Sequence, residues 1–192
     1  DGGQAYPVDL LRDHTLVQVR QKYTDDTGEL TLAPGEETTD EVTVGGRVVF
    51  VRNTGKLCFA SLQDGFTETS NGERLQIMLS KAEVGDESLA AWKSDVDLGD
   101  HVWVRGRVVV SRRGELSIMA AEWRMASKAL RPLPTLHKEL SEESRVRRRY
   151  ADLVVREESR QMVRTRAVIT RAVRRALDER GHRPVQGRDR VA

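Results

Sequence analysis

Cysteine is almost absent from this chain. The single Cys58 excludes a disulfide framework, and no Cys or His stands at metal-ligand spacing from it, so it reads as a small buried hydrophobe. Long apolar runs are missing too: no stretch of about eighteen apolar residues is present, which leaves no candidate for a membrane-spanning helix. The N-terminus lacks the charged-then-apolar pattern of a secretory signal, so the expected compartment is the cytoplasm, with no membrane partner. Asp1 rather than Met opens the chain, which reads as the interior of something longer.

What is there is enough for one core. The 192 residues are 38% hydrophobic, room for one ordinary domain with helical or linker material beside it. The formal net charge of +2 hides an asymmetry, because residues 1–127 carry 14 Lys and Arg against 21 Asp and Glu, whereas residues 128–192 carry 18 against 9. A basic back half suits nucleic acid or an acidic neighbouring domain, while the acidic front argues against binding there driven by phosphate attraction.

The periodicity changes along the chain. Between Asp13 and Tyr23, Leu16, Val19 and Tyr23 share one helical face; Thr24–Asp40, rich in Thr, Asp, Glu and Gly, reads as a loop or linker that builds no core. From Glu41 the period is two, through Val42, Val44, Val48 and Phe50, and after a turn at Asn53-Thr54-Gly55 through Leu57, Phe59 and Ser61. A loop at Gly65–Gly72 precedes a third strand, Leu75–Leu79, and helical spacing through Val84, Leu89 and Trp92 follows. Two more strands, Asp100–Val110 and Leu116–Trp123, hinge at Ser111–Gly114. Three strands, a helix and two strands within one short region predict an all-β OB-fold barrel, α+β overall once the helical segment behind it is counted. Arg131-Pro132-Leu133-Pro134 marks a bridge. Ser141-Glu142-Glu143 can cap a helix, and Ser159–Arg180 carries Met162, Val163, Ile169, Val173, Ala176 and Leu177 on one broad side before Gly181 and Pro184 stop it. The domains read as a helix and linker at 1–40, the barrel at 41–126, a proline-containing bridge at 127–140 and a further helical part at 141–192.

An OB barrel offers an open face on which single-stranded bases lie, stacked on an aromatic ring and fixed by a few polar groups. Phe59 in the second strand, Arg52 at the end of the first, Gln76 in the third and Glu115 at the start of the fifth are the residues that could converge on one base. Gln76 can both give and accept hydrogen bonds at a base edge. Each has a bland alternative: Phe59 in the core, Arg52 and Glu115 as a solvated pair, Gln76 as an ordinary polar strand residue. Periodicity alone leaves both readings open.

Several collinear blocks add to this: Tyr6-Pro7 with Arg12-Asp13-His14-Thr15, Gly55–Asp64, Gly114-Glu115-Leu116-Ser117, Lys128–Pro134 and Arg147–Leu153. Together they resemble the N-terminal part of bacterial class II lysyl-tRNA synthetases. The resemblance implies that residues 42–126 form the anticodon-binding barrel, which recognises the U-rich lysine anticodon. Phe59 then matches the ring that stacks on the central base, and Arg52, Gln76 and Glu115 match the polar positions around it. Ser159–Arg180 resembles the long helix of motif 1 at the start of the catalytic domain, part of the family's dimer interface. The six arginines 160, 164, 166, 171, 174 and 175 read as a solvated or interdomain face rather than an RNA site.

The resemblance stops at Gly181. His182–Gln186 replaces the family's continuation, Arg148 stands where the family usually has Gln, and motifs 2 and 3, whose arginines hold ATP, are absent. A shifted reading frame is one explanation of the tail, since Gly187–Arg190 read one base later can encode Val-Glu-Thr, although the next shifted codon cannot give the family's proline. The chain therefore reads as the tRNA-binding part of a truncated lysine–tRNA ligase, with no catalytic residues and no cofactor of its own. ATP and magnesium are implied for the full-length relative, and a monomer is expected where the family dimerises. The rivals are a free-standing nucleic-acid-binding OB module and a fragment of the fusion enzyme that lysinylates membrane lipid.

Overall fold

The computed structural model describes residues 7–65, 73–131, 133–134 and 140–181. Tyr6, nearly all of the Gly65–Gly72 loop, Pro132 and the tail from His182 lie outside the described residues. Two compact units divide between Leu133 and Pro134.

The period-two segments of the first unit become five strands: β1 (Glu37–Thr54), β2 (Leu57–Gln63), β3 (Arg74–Ser80), β4 (His101–Val110) and β5 (Leu116–Ser127). They close into a barrel in the order β1-β2-β3-β5-β4, antiparallel except where β3 meets β5. Successive side chains of a strand face opposite ways. One set, Val42, Val44, Val48, Cys58, Ala60, Leu62, Ile77, Leu79, Val102, Val104 and Val108 among it, fills the interior. Cys58 is the small buried hydrophobe expected, its thiol pKa pushed up by that burial. Gly106 is dictated by closure: a Cβ there would lie 2.1 Å from the Met119 carbonyl oxygen, so no side chain is possible where β4 crosses β5.

Phe50 departs from the alternation. A bulge between Val48 and Phe50 turns Val49 inward beside Val48, and Phe50, which the period-two reading placed in phase with Val48, stands 48% exposed on the outside.

Helix α1 (Leu16–Lys22) starts at a capping box in which the Thr15 hydroxyl accepts from Gln18 N–H and the Gln18 side chain accepts from Thr15 N–H. Its buried face, Leu16, Val19 and then Tyr23, joins the barrel core. The expectation that Thr24–Asp40 builds no core is corrected here. Leu30 and Leu32 pack against the core, Thr24 bridges to Leu30, and β1 already begins at Glu37, paired with Val109. The two leucines arrive through a turn rather than a period: the Asp25 carboxylate accepts from Thr27 N–H, Thr27 Oγ1–H and Glu29 N–H, folding the segment back.

Between β3 and β4 the helical stretch is split at Gly85, which takes φ 83° between α2 (Lys81–Val84) and α3 (Asp86–Asp95). Leu89 and Trp92 bury themselves from α3, Trp92 meeting Trp123 edge to face at 5.1 Å. Asp100, fully buried, locks the exit of the barrel. Its carboxylate accepts from Lys128 Nζ, Asp97 N–H and Ala129 N–H, each at 2.7 Å, so the lysine that opens the Lys128–Pro134 block ties the end of β5 to the start of β4.

The second unit holds α4 (Glu142–Arg147), α5 (Arg149–Val155) and α6 (Glu157–Glu179). Ser141 caps α4 as its sequence implies. The buried Asp152 carboxylate is its centre, accepting from Ser159 Oγ at 2.6 Å and Arg149 Nη1 at 2.8 Å. Arg160 donates to the Leu153 and Val154 carbonyls at the end of α5. On α6, Met162, Val163, Ile169, Val173 and Leu177 are exposed within this unit. Gly181 follows the helix at φ 78°.

Candidate nucleic-acid interface

Cross-strand partners point to the same side of a sheet. One outward rung of the barrel therefore runs Arg52, Phe59, Met78, Met119, and the next runs Phe50, Ser61, Gln76, Ser117. Three of the four candidate residues thus share one face through strand register, with Phe59 and Gln76 diagonal neighbours across β2 and β3.

Phe59 is not in the core. Cys58, Ala60 and Leu62 take the interior of β2, which puts the Phe59 ring outside, half-buried on the sheet. The Arg52 guanidinium lies over that ring, 4.8 Å from its centroid. Arg52 is not paired with Glu115, as the bland reading would have it.

Gln76 is fixed by a relay. Its Nε2 donates to Ser117 Oγ at 2.9 Å, and Ser117 Oγ donates in turn to the Glu115 carbonyl at 2.9 Å. The Gln76 amide keeps its Oε1 and a second N–H for a ligand.

Glu115 stands at the rim. The β4–β5 turn is closed by Ser111 N–H to the Glu115 carbonyl, Gly114 N–H to the Ser111 carbonyl and Glu115 N–H to Ser111 Oγ. The Glu115 side chain is 55% exposed and 3.9 Å from Arg20 of α1, whose Nε is 2.6 Å from Glu73. It is farther from Phe59 than the other candidates, joined to them through Ser117.

Sequence reading missed five contributors. Ser117 orients Gln76, Arg20 lies 3.9 Å from the Glu115 carboxylate, and Phe50 adds a second outward aromatic ring one rung from Phe59. Arg112 and Arg113 sit exposed on the β4–β5 turn, with no ion pair or hydrogen bond among the described residues. Only the last pair had a signal, two adjacent arginines before a turn glycine. By contrast Arg105 is neutralised by Glu41 and Glu122, and Arg107 by Glu37 and Glu83. Those bonds hold the carboxyl pKa values of Glu83 and Glu122 below the ordinary range. No helix among the described residues is long and apolar enough to cross a membrane.

A closed five-stranded ring with an aromatic and polar outer face is the architecture of the OB-fold nucleic acid binding domain, and that family matches residues 42–126. More particularly, the chain is homologous over nearly its whole length to the N-terminal part of lysine–tRNA ligases. It is 58% identical over 185 residues to the lysine–tRNA ligase of Kineococcus radiotolerans, covering 96% of this chain and 35% of that protein. The lysine–tRNA ligase of Mycolicibacterium gilvum is 55% identical over 97% of the chain and 35% of its own length, and that of Dechloromonas aromatica 37% identical over 96% and 35%. The chain thus spans about a third of the length of the curated relatives it matches.

Proposed function

We propose that the barrel binds the anticodon loop of lysine tRNA, with Phe59 stacking on the central base, Gln76 reading its edge, and Arg52 and Glu115 bounding the site. The observation that carries this reading is the shared outward face of Phe59 and the anchored Gln76 amide, an outward ring beside an oriented donor and acceptor. Arg112 and Arg113 supply phosphate contacts at the rim, so an acidic barrel still meets RNA. Phosphate contacts position, and base contacts specify.

The longer protein, on this reading, activates lysine with ATP and transfers it to tRNA in the cytoplasm. ATP and magnesium belong to that reaction. No group of three or more His, Cys, Asp or Glu among the described residues fits a metal ion, so no step is assigned to this chain through one. Residues 1–192 alone give no lysine-dependent ATP–pyrophosphate exchange; exchange by the purified chain would overturn that. They are mainly monomeric, because α6 offers one apolar side and a lone amphipathic helix has little to bury it against. Sedimentation as a dimer at low micromolar concentration would contradict this.

The test of the reading is titration of the chain with a lysine anticodon stem-loop and an unrelated stem-loop of equal size. Tighter binding of the first supports it; equal affinity reduces the barrel to an unspecific nucleic-acid module.

A further inference from the structure

We propose that Ser117 is a positioning residue that sets the hand of the Gln76 amide, and through it lets the interface distinguish a keto base such as uracil from an amino base such as cytosine. The proposal rests on the anticodon reading above.

A serine hydroxyl has one proton to give. That of Ser117 goes to the Glu115 carbonyl, at 2.9 Å, so the Gln76 atom facing Oγ at 2.9 Å must be the donor, Nε2. Turning the amide over would bring Oε1 against Oγ. Ser117 would then have to withdraw its proton from Glu115, and a hydroxyl that now makes two hydrogen bonds would make one. Ser117 is fully buried, so water does not make good the loss. The Glu115 carbonyl is itself held in place by Ser111 N–H at 2.9 Å, which keeps the far end of the relay still.

The consequence is chemical. With one N–H committed, Gln76 presents Oε1 and one remaining N–H to a ligand, in a fixed order. Uracil offers O4 as acceptor beside N3–H as donor; cytosine offers the reverse, N4–H beside N3. With the base held at one place on the Phe59 ring, so that Gln76 faces positions 4 and 3, an amide of fixed hand matches one order only. An amide free to turn over matches both, at the cost of selectivity. Phe59 cannot make this distinction, because either base has a face to stack.

The experiment measures binding of the full chain to two stem-loops that differ only in uracil or cytosine at the central anticodon position. The wild type prefers uracil by about fivefold or more, the discrimination of one good bidentate contact. Ser117→Ala brings the ratio close to one, chiefly by gaining affinity for the cytosine loop, while Ser117→Thr, which keeps the hydroxyl, retains the preference. Both RNAs are measured on the same preparation, so a partly unfolded variant does not alter the ratio. A wild-type ratio in Ser117→Ala, a loss of both affinities by the same factor, or equal affinity of the wild type for the two loops overturns the proposal. Phe59→Ala in the same assay separates the levels. If it leaves uracil-loop affinity unchanged, the anticodon reading itself is wrong; if it weakens binding while Ser117→Ala preserves the ratio, only the role of Ser117 is.

Discussion

The Arg52 guanidinium lies 4.8 Å from the centroid of the Phe59 ring, directly across the β1–β2 ladder. A cation over a ring holds its orientation and deepens its polarisation. Arg52 therefore acts on the base through Phe59, and Arg52→Ala weakens stem-loop binding by about 0.5–1 kcal/mol, less than loss of the ring. Titration at several salt concentrations checks the mechanism. The slope of affinity against salt stays as in the wild type; a slope reduced by about one would make Arg52 a phosphate ligand instead.

Phe50 stands outward on the next rung, where the bulge at Val49 has turned it out of the core. A phenylalanine left half in water forgoes burial energy, and on this face it offers a second stacking surface. Phe50→Ala lowers stem-loop affinity severalfold and leaves the melting temperature within a few degrees, as expected of a surface position at roughly ±0.5 kcal/mol. A large drop in melting temperature with unchanged affinity would assign Phe50 to packing.

The Asp100 carboxylate is buried and takes three donors, Lys128 among them. Asp100→Ala leaves the Asp97 and Ala129 N–H groups without their acceptor and takes one of three acceptors from Lys128 Nζ, which keeps Asp97 and the Asp95 carbonyl; it destabilises the barrel by about 2–4 kcal/mol, read by denaturant unfolding. Lys128→Ala costs less, because its side chain is 41% exposed. Burial alone would lower the Lys128 pKa, but bonds to Asp100 and Asp97 raise it above 10.5. Its contribution is complete below 10.5 and is lost as pH climbs through the raised folded value. Equal stability of Asp100→Ala and wild type would remove the lock from this account.

His101 opens β4 with its pKa below 6.5, chiefly because burial penalises the imidazolium, with Arg47 adding repulsion and Asp100 opposing it. The unfolded chain takes up this proton first. The folded state keeps its full stability above pH 6.5 and loses it as pH falls toward the lowered folded value. His101→Gln flattens that slope. Unfolding free energies across the range from roughly pH 7 to 5 check it, and an unchanged slope in the variant would place the titration elsewhere.

Much of this architecture was legible in the sequence, because alternation in β2 and β4 and helical spacing in α1 and α3 are local signals that packing respects. Leu16, Val19 and Tyr23 bury together as their spacing implies. The exceptions have physical causes. Leu30 and Leu32 reach the core through a polar turn that has no period, and a one-residue bulge reverses the phase of Phe50. At the interface, alternation put Phe59 opposite Cys58, Ala60 and Leu62 without saying which set faced inward; three small or aliphatic side chains fit a closed barrel, and the ring goes outside. The partnership of Gln76 with Ser117 depends on β3 lying parallel to β5, a contact between strands 41 residues apart that no local pattern announces.

The affinity of the chain for a lysine anticodon stem-loop, measured before and after Phe59→Ala, tests whether this ring holds the base. Stacking on one aromatic ring contributes about 1–3 kcal/mol, so the variant binds roughly 5- to 150-fold more weakly while remaining folded, since the ring lies outside the core. The same affinity in both proteins would contradict the reading of this face as the site where the anticodon is held.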